Sequence, residues 1–379
     1  MQNKNNQKTK KMKKTLTIAI AALMLFACGR EATFTIVGTV ANPELEGNYV
    51  LLQQIVDDAF ATVDSVQIID GTYTLTGSVE TPIYARLVVR TEAFTQLGRP
   101  ILERGTIRIT TDVDGTSSIT GTRNNDIRQA FLDSERAIQE RMNQIVQAFR
   151  EAQQDGNTEL ITSLTEQHRA YSERMQENRL TFIKNNINNF AGQTVLNTGA
   201  RRLSQEDLEA VFALANNQTL QSPEVADALE RLGIMQRSAV GQPFVDLTMP
   251  DVDGNYISIS DFVGNGYLMI DFTATWCGPC RVGKPDMIAT FNRFSDRGFN
   301  IIGVWFDNSR EAWINGMAAL NMPDWPQMSN LGGWQCEGAR LYAISSIPHS
   351  VLIDPNGIII ARSLRGEDLN VKLAELLGE

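Results

Sequence analysis

Two of the four cysteines in this chain stand three positions apart. Cys277 and Cys280 lie in the stretch DFTATWCGPCRVGKP, residues 271–285, with Gly278 and Pro279 between them. The apolar run YLMIDFT precedes the pair and is typical of a buried strand, and the residues after the pair have a helical pattern to about Arg297. A cysteine pair at this spacing, where a strand passes into a helix, indicates sulfur chemistry rather than a structural crosslink.

Length and composition set the class of protein. A chain of 379 residues predicts two or three domains. Hydrophobic residues make up 42% and charged residues 21%, as in a folded soluble protein. The formal net charge is −10, so the sequence lacks the basic balance expected of a nucleic-acid binder, and we exclude nucleic acid as a partner.

The first 28 residues have the pattern of a lipoprotein signal peptide. Lysines open the chain, and an apolar run from Leu16 to Ala27 follows, which is too short to span a bilayer as a helix. The run ends in LFAC, which is similar to a bacterial lipobox, although Phe26 departs from the smaller or aliphatic residues usual there. We predict lipidation of Cys28, a membrane anchor and a mature chain facing the periplasm; the alternative is a chance cysteine near a cleavage site.

Three regions follow along the chain. Residues 31–122 alternate apolar and polar positions and carry a hairpin signal at Asp70-Gly71, which predicts a small antiparallel β domain. Residues 123–240 repeat apolar residues at helical spacing and predict an all-helical segment. In residues 241–379, strand and helix patterns alternate in the order β-α-β-α-β-β-α.

The C-terminal region resembles a thioredoxin-fold domain in several segments that fall in order. These are DFTATWCGPC followed by KP, the element order above, and SIPHSVLID near the end. The lead-in GQPFVDLTMPDVDGNYISISDF resembles the opening of membrane-tethered ResA/TlpA-like thiol–disulfide oxidoreductases, which are related to the AhpC/TSA group. The upstream segments and the N-terminal cysteine resemble Bacteroidetes-type lipoproteins of this group. The resemblance implies a cell-envelope enzyme without cofactor, whose partners are disulfide-containing envelope proteins and a thiol electron donor.

The physical chemistry of the pair agrees with that resemblance. Cys277 is predicted at a helix N-terminus, where unpaired N–H groups favour a thiolate that attacks a partner disulfide. Cys280, one turn along, is predicted to resolve the mixed disulfide. The spacing is expected to keep only the first sulfur near solvent. Gly278 and Pro279 start the helix without crowding the sulfurs, because the missing N–H of proline costs nothing in a first turn.

Two further residues match functional positions of the family. Asp271 corresponds to an acid behind the second cysteine, and its apolar neighbours predict burial and a role as proton acceptor for Cys280; the alternative is an exposed strand-end aspartate. Pro348 corresponds to the cis-proline that faces the cysteines and docks the backbone of the partner; the alternative is an ordinary trans proline.

Several supporting roles follow from the same match. Ile347, like the Gly-Pro pair between the cysteines, is a thioredoxin-like choice and predicts a reductant. Trp276 is predicted to shield the disulfide and to shape the docking surface. Thr273 replaces the tryptophan usual at its position, so the family match does not define the docking surface there. Pro285 is predicted to kink the helix.

Two residues have less specific predictions. His349 follows Pro348, so it either tunes Cys277 or touches substrate, or it simply packs. Cys336 is predicted to be a buried, inert thiol, with a third redox cysteine as the alternative.

Three other functions fit parts of the chain. A zinc site would use the three C-terminal cysteines and His349, but no second CxxC or HxxxH accompanies them. A peroxiredoxin-like peroxidase would have threonine three residues before its cysteine, where Ala274 stands. The third alternative is an envelope binding protein in which the thioredoxin-like domain is accessory.

Overall fold

The structure, a computed structural model, describes residues 33–56, 59–91 and 94–378. The predicted signal peptide and lipidated Cys28 lie outside these residues. In the part of the chain that is described, no helix is both long and apolar enough to cross a membrane.

The first region is rich in β-strands, as predicted. Its strands are β1 (Thr33–Val40), β2 (Tyr49–Val56), β3 (Ala59–Gln67), β4 (Thr72–Ser78), β5 (Ile83–Arg90), β6 (Phe94–Gly98), β7 (Ile101–Leu102), β8 (Gly105–Thr111) and β9 (Ser117–Thr120). They form two sheets, with strand orders β4-β1-β8-β9 and β3-β2-β5-β6, and β7 pairs with β5. The pairing of β1 with β8 is parallel, whereas the other described pairings in this region are antiparallel.

The predicted turn at Asp70-Gly71 forms, but the flanking strands do not pair along their length. Both residues have positive φ, 51° and 68°, and Ile69 and Thr72 bridge across the turn. Beyond that bridge β3 pairs with β2, whereas β4 pairs with β1 in the other sheet. Packing explains the choice, because the ring of Tyr73 lies where a Cβ on Gly38 would stand, 1.9 Å from Cζ.

Helices make up the second region. They are α1 (Arg123–Gln154), α2 (Thr158–Asn186), α3 (Phe190–Gly199), α4 (Gln205–Phe212), α5 (Asn217–Leu220) and α6 (Pro223–Arg237). Ser204 and Asp207 make a capping box at the start of α4, and Pro223 lies in the first turn of α6, where its missing N–H costs nothing. Asn125 fastens α1 to the β region, since its side-chain amide bonds both to the N–H and to the carbonyl of Ile101, at 3.0 and 2.7 Å.

The C-terminal region is a mixed α/β domain. Its elements are β10 (Thr248–Pro250), β11 (Tyr256–Ser258), β12 (Tyr267–Thr273), α7 (Gly278–Phe294), β13 (Phe299–Trp305), α8 (Arg310–Ala319), β14 (Gln327–Met328), α9 (Glu337–Leu341), β15 (His349–Ile353), β16 (Ile359–Arg362) and α10 (Gly366–Leu377). The main sheet has the order β14-β13-β12-β15-β16, in which β12, β13 and β14 are parallel. The predicted element order is present, with the β10-β11 pair, β14 and α9 in addition.

Apolar alternation gives this sheet two buried faces. In β12, Leu268, Ile270 and Phe272 belong to one core cluster, which also contains both cysteines of the pair, and Met269 belongs to a cluster on the other face. The second cluster includes residues of α7 and α10, which therefore cover that face. The central strand is thus buried on both faces as far as its C-terminal end.

The linker between the helices and the α/β domain follows the outer strand β16. Gly241 and Phe244 donate backbone hydrogen bonds to Ile359 and Gly357, at 2.7 and 2.8 Å. The guanidinium of Arg362 donates to the carbonyl of Ser238, the residue after α6. Because backbone and side chain both hold it, the linker is a fixed part of the fold.

Candidate active site

The turn between β12 and α7 carries both cysteines, joined as a disulfide. Cys277 is the N-cap of α7, and its Sγ accepts a hydrogen bond from the backbone N–H of Cys280 at 3.2 Å. Pro279 lies in the first turn of the helix. When the bond is reduced, the N–H groups and the positive end of the helix dipole stabilise a thiolate at Cys277.

The exposure of the two cysteines differs from the expectation. Cys277 is 5% exposed and Cys280 4%, so the first cysteine is not distinguished by solvent contact. The physical reason is the disulfide together with the N–H bond to Sγ, which hold Cys277 against the apolar core. Gly278 and Pro279 are the exposed part of the turn.

A buried ion pair joins β12 to α7. Asp271 is 1% exposed on β12, and Lys284 is 3% exposed on α7; its Nζ bonds directly to a carboxylate oxygen of Asp271. Lys284 also lies 3.9 Å from Sδ of Met287 and 5.5 Å from the ring centroid of Trp305. Asp271 is therefore buried as expected, but beside a cation rather than among apolar groups alone.

Lys284 is a residue that the sequence reasoning missed. The spacing could have indicated its position, because a side chain four residues after Cys280 lies on the same face of the helix as that cysteine. A lysine is rarely buried without an acid, and Asp271 on the preceding strand was the one candidate acid already expected in the interior.

A buried tryptophan stands opposite Thr273 on the next strand. Thr273 pairs in register with Trp305 of β13, and both are 1% exposed. The indole Nε1 of Trp305 donates to Oε1 of Gln327 at 2.6 Å. The tryptophan absent from position 273 thus has a buried counterpart on the neighbouring strand.

Pro348 and Ile347 lie at the same end of the sheet as the cysteines. The Ile347–Pro348 peptide bond is cis. His349 pairs with Phe272 at the start of β15, so Pro348 stands beside the end of β12, from which the cysteine turn departs. Ile347 packs against the core cluster that contains both sulfurs.

The imidazole of His349 points to β16. Nε2 lies 3.3 Å from Arg362, which can only donate, so Nε2 accepts; Nδ1 lies 3.2 Å from the hydroxyl of Ser363. Burial, followed by the charges of Arg362 and Arg365, lowers the pKa of His349 from 6.5 to about 4. The imidazole is thus neutral at pH 7 and engaged away from the cysteine turn.

Trp276 is 53% exposed, next to Cys277. Its Nε1 donates to the carbonyl of Phe306 at 3.1 Å, and Thr275 bonds to Asp307 through both its N–H and its hydroxyl. These bonds hold the strand-to-helix turn against the end of β13. Pro285 lies within α7; its predicted kink stays a prediction.

Cys336 is 1% exposed, and its Sγ lies 3.8 Å from Sδ of Met249. Burial raises the pKa of its thiol. Within the described ranges, no group of three or more His, Cys, Asp or Glu side chains is arranged to hold a metal ion.

Two family models match the chain. Residues 240–362 match the AhpC/TSA family, and residues 34–127 match a domain of unknown function, DUF4369. A thiol-disulfide oxidoreductase ResA of Bacillus thuringiensis subsp. konkukian is 28% identical over 142 residues, which cover 38% of this chain and 79% of that protein. The C-terminal domain is a ResA-like thiol–disulfide oxidoreductase domain.

Other proteins and solved structures are also similar to part of the chain. Human nucleoredoxin is 31% identical over 125 residues, 31% of this chain and 27% of that protein. The thioredoxin domain of a thiol-disulfide oxidoreductase from Bacteroides vulgatus has 32% identity and a TM-score of 0.34, covering 37% of this chain and 98% of that one. A C-terminal domain of a putative thiol-disulfide oxidoreductase from Bacteroides thetaiotaomicron has 25% identity and a TM-score of 0.36, covering 38% and 98%.

The ion pair in the ResA-like domain leads to a stability prediction. Lys284→Met leaves the carboxylate of Asp271 buried without its partner, and we expect a loss of about 3–5 kcal/mol in the free energy of unfolding. The double variant Asp271→Leu with Lys284→Met should recover most of that loss, because no charge remains buried. Urea denaturation of the oxidised protein measures both.

Lys372→Met is the matched control. Lys372 pairs with Glu375 at 3.0 Å, but 32% and 67% of these two side chains are exposed. Removing that pair should cost less than about 1 kcal/mol. A Lys284→Met variant as stable as the control would show that the buried pair contributes nothing.

His349 leads to a prediction about pH. Between pH 6.5 and about 4 the unfolded chain protonates this imidazole while the folded chain does not, so acid favours unfolding. The free energy of unfolding is unaffected by His349 above pH 6.5, and it falls by roughly 3 kcal/mol through this residue as the pH drops to about 4. His349→Gln should flatten this part of the stability profile, measured by denaturation at each pH.

The only other histidine supplies the control. His168→Gln should keep the slope of the wild-type protein, since it leaves His349 and its neighbours Arg362 and Arg365 in place. Equal slopes in His349→Gln and His168→Gln would contradict the assignment of a lowered pKa to His349.

Proposed function

We propose that this protein is a thiol–disulfide oxidoreductase of the cell envelope that reduces disulfides of other proteins. One observation carries the proposal: Cys277 and Cys280 form a disulfide at the N-terminus of α7, in a domain similar to ResA proteins. When this disulfide is reduced, the helix N-terminus stabilises the thiolate of Cys277. A partner can reach the pair at the exposed turn residues Gly278 and Pro279.

The exchange proceeds in two steps that conserve electrons. The thiolate of Cys277 attacks one sulfur of a client disulfide; a bond from Cys277 to the client forms, and the second client sulfur leaves as a thiolate that takes a proton. Cys280 then loses its proton and attacks Sγ of Cys277, which reforms the internal disulfide and releases the first client sulfur. The client gains two electrons, and the protein is recharged by a thiol donor.

The ion pair between β12 and α7 supports a role in the second step. The carboxylate of Asp271 is the proposed acceptor of the Cys280 proton, in agreement with its burial on the strand that leads to the turn. Lys284 holds the carboxylate in place and lessens the cost of burying it. Lys284 is therefore proposed as a positioning residue, whereas Asp271 handles the proton.

Client docking is proposed at the end of β12. Pro348 stands there with Ile347, and Trp276 lies exposed next to Cys277 in the chain. A client backbone laid along the cis-proline would bring its disulfide to the turn between β12 and α7. His349 is proposed to support this loop through Arg362 rather than to act on Cys277.

The direction and the location rest on the sequence. Gly278-Pro279 and Ile347 are thioredoxin-like choices, which favour a reductant. The lysine-rich start, the short apolar run and Cys28 support a lipid anchor and a periplasm-facing envelope location.

The alternatives have less support. For a thiol peroxidase, Ala274 occupies the position of the expected threonine, and the two cysteines are paired with each other. For a binding protein with an accessory oxidoreductase domain, the matched model at residues 34–127 has no assigned function. We therefore propose disulfide exchange as the activity.

Serine variants test the mechanism. Cys277→Ser should lower the turnover of insulin disulfides by at least about 10³-fold, because it removes the attacking sulfur. Cys280→Ser should accumulate a mixed disulfide with the client, seen as a band on non-reducing gels that reductant removes. Cys336→Ala is the control and should turn over like the wild-type protein. Unchanged turnover in Cys277→Ser would refute the proposed nucleophile.

The reduction potential tests the direction. We expect a value closer to that of thioredoxin, about −270 mV, than to that of the oxidant DsbA, about −120 mV. Equilibration of the pair with dithiothreitol buffers and alkylation of the free thiols measures it. A value near that of DsbA would reverse the direction while leaving the exchange chemistry in place.

A further inference from the structure

Trp334 lies on the surface close to the cysteine turn. It occupies a short 3-10 helix, Gly333–Gln335, between β14 and α9. Its side chain is 45% exposed, beside Trp276 at 53%, and their ring centroids are 6.2 Å apart. The two indoles thus form one exposed apolar patch, here called the indole surface. The exchange mechanism proposed above gives Trp334 no role.

Buried Phe306 fixes both members of the indole surface. Its ring packs edge-on against Trp334, with centroids 5.3 Å apart, and its carbonyl accepts the hydrogen bond from Trp276. The backbone below Trp334 is fixed as well: Gly333 has φ 56°, and a Cβ there would lie 2.3 Å from Oδ1 of Asn308. A rigid aromatic surface loses little conformational entropy when it binds.

The indole surface is continuous with the reactive turn. Trp276 precedes Cys277 directly, and Val282, 81% exposed, lies further along α7 beyond the exposed Gly278 and Pro279. Trp276 is the exposed chain neighbour of Cys277, and Trp334 lies against it. The indole surface is therefore placed to meet a residue next to the client cysteine in a mixed disulfide.

We propose that Trp334 and Trp276 together bind an apolar side chain adjacent to the reacting cysteine of a client protein. This inference rests on the proposed function and adds a substrate preference to it. The occupant is a client segment with an aliphatic or aromatic residue beside its cysteine, because such a side chain removes the exposed indole faces from water. A small polar neighbour gains no comparable contact.

A peptide pair tests the preference. Two disulfide-linked peptides, identical except for leucine or serine beside the cysteine, react with the prereduced protein in a single turnover. Each disulfide yields two peptide thiols and the Cys277–Cys280 disulfide, so liberated thiol measures the rate. The leucine peptide should react roughly tenfold faster in the wild-type protein, and Trp334→Ala should reduce this ratio below about threefold.

Tyr49→Ala is the matched control. Tyr49 is an aromatic side chain on β2, 55% exposed and outside the α/β domain, so its removal should leave the tenfold ratio intact. Circular dichroism checks the fold of each variant. If Trp334→Ala does not fold, Trp334→Phe is used instead. This variant keeps a ring against Phe306 but has a smaller exposed face, so its leucine-to-serine rate ratio should fall between roughly three and ten.

The possible outcomes distinguish failure of this inference from failure of the proposed function on which it rests. No reaction with either peptide would contradict disulfide exchange itself. Equal rates with both peptides in the wild-type protein would refute the preference while supporting the exchange. A preference retained in the Trp334 variants would place the selection elsewhere and overturn the role of Trp334.

Discussion

The buried ion pair of Asp271 and Lys284 constrains the whole C-terminal domain. A lysine ammonium deep in an apolar interior is tolerated only where a carboxylate meets it, and here the two charges come from the central strand and the helix that follows it. Their contact fixes α7 against the end of β12. The same contact therefore determines where the helix N-terminus, and with it Cys277, meets the surface.

The rest of the site is arranged around that fixed turn by groups from distant parts of the chain. Asp307 and Phe306 at the end of β13 hold Thr275 and Trp276, and β15 brings Pro348 beside the end of β12. Arg362 then joins the histidine after that proline to the last helix of the upstream segment. The end of the upstream helical segment is thus hydrogen-bonded directly to the redox domain.

Sequence reasoning recovers those features that local pattern encodes. Alternation identifies the buried face of β1 through Phe34 and Ile36, and the cysteine spacing with its flanking strand identifies the redox turn. Pairing partners are not encoded locally: the Asp70-Gly71 turn is visible, yet β4 joins β1. Lys284 escapes because lysine is normally a surface residue, and the orientation of His349 depends on an arginine thirteen residues later.

Cys336 is buried in the folded chain but would be exposed in the unfolded chain. Its thiol is buried beside Met249 and forms no disulfide, so among the described residues the Cys277–Cys280 pair is the one disulfide. Unfolding would release this third sulfur next to a labile bond, where intramolecular reshuffling competes with recovery. In an oxidising compartment, native packing therefore also protects the molecule against crosslinking to itself.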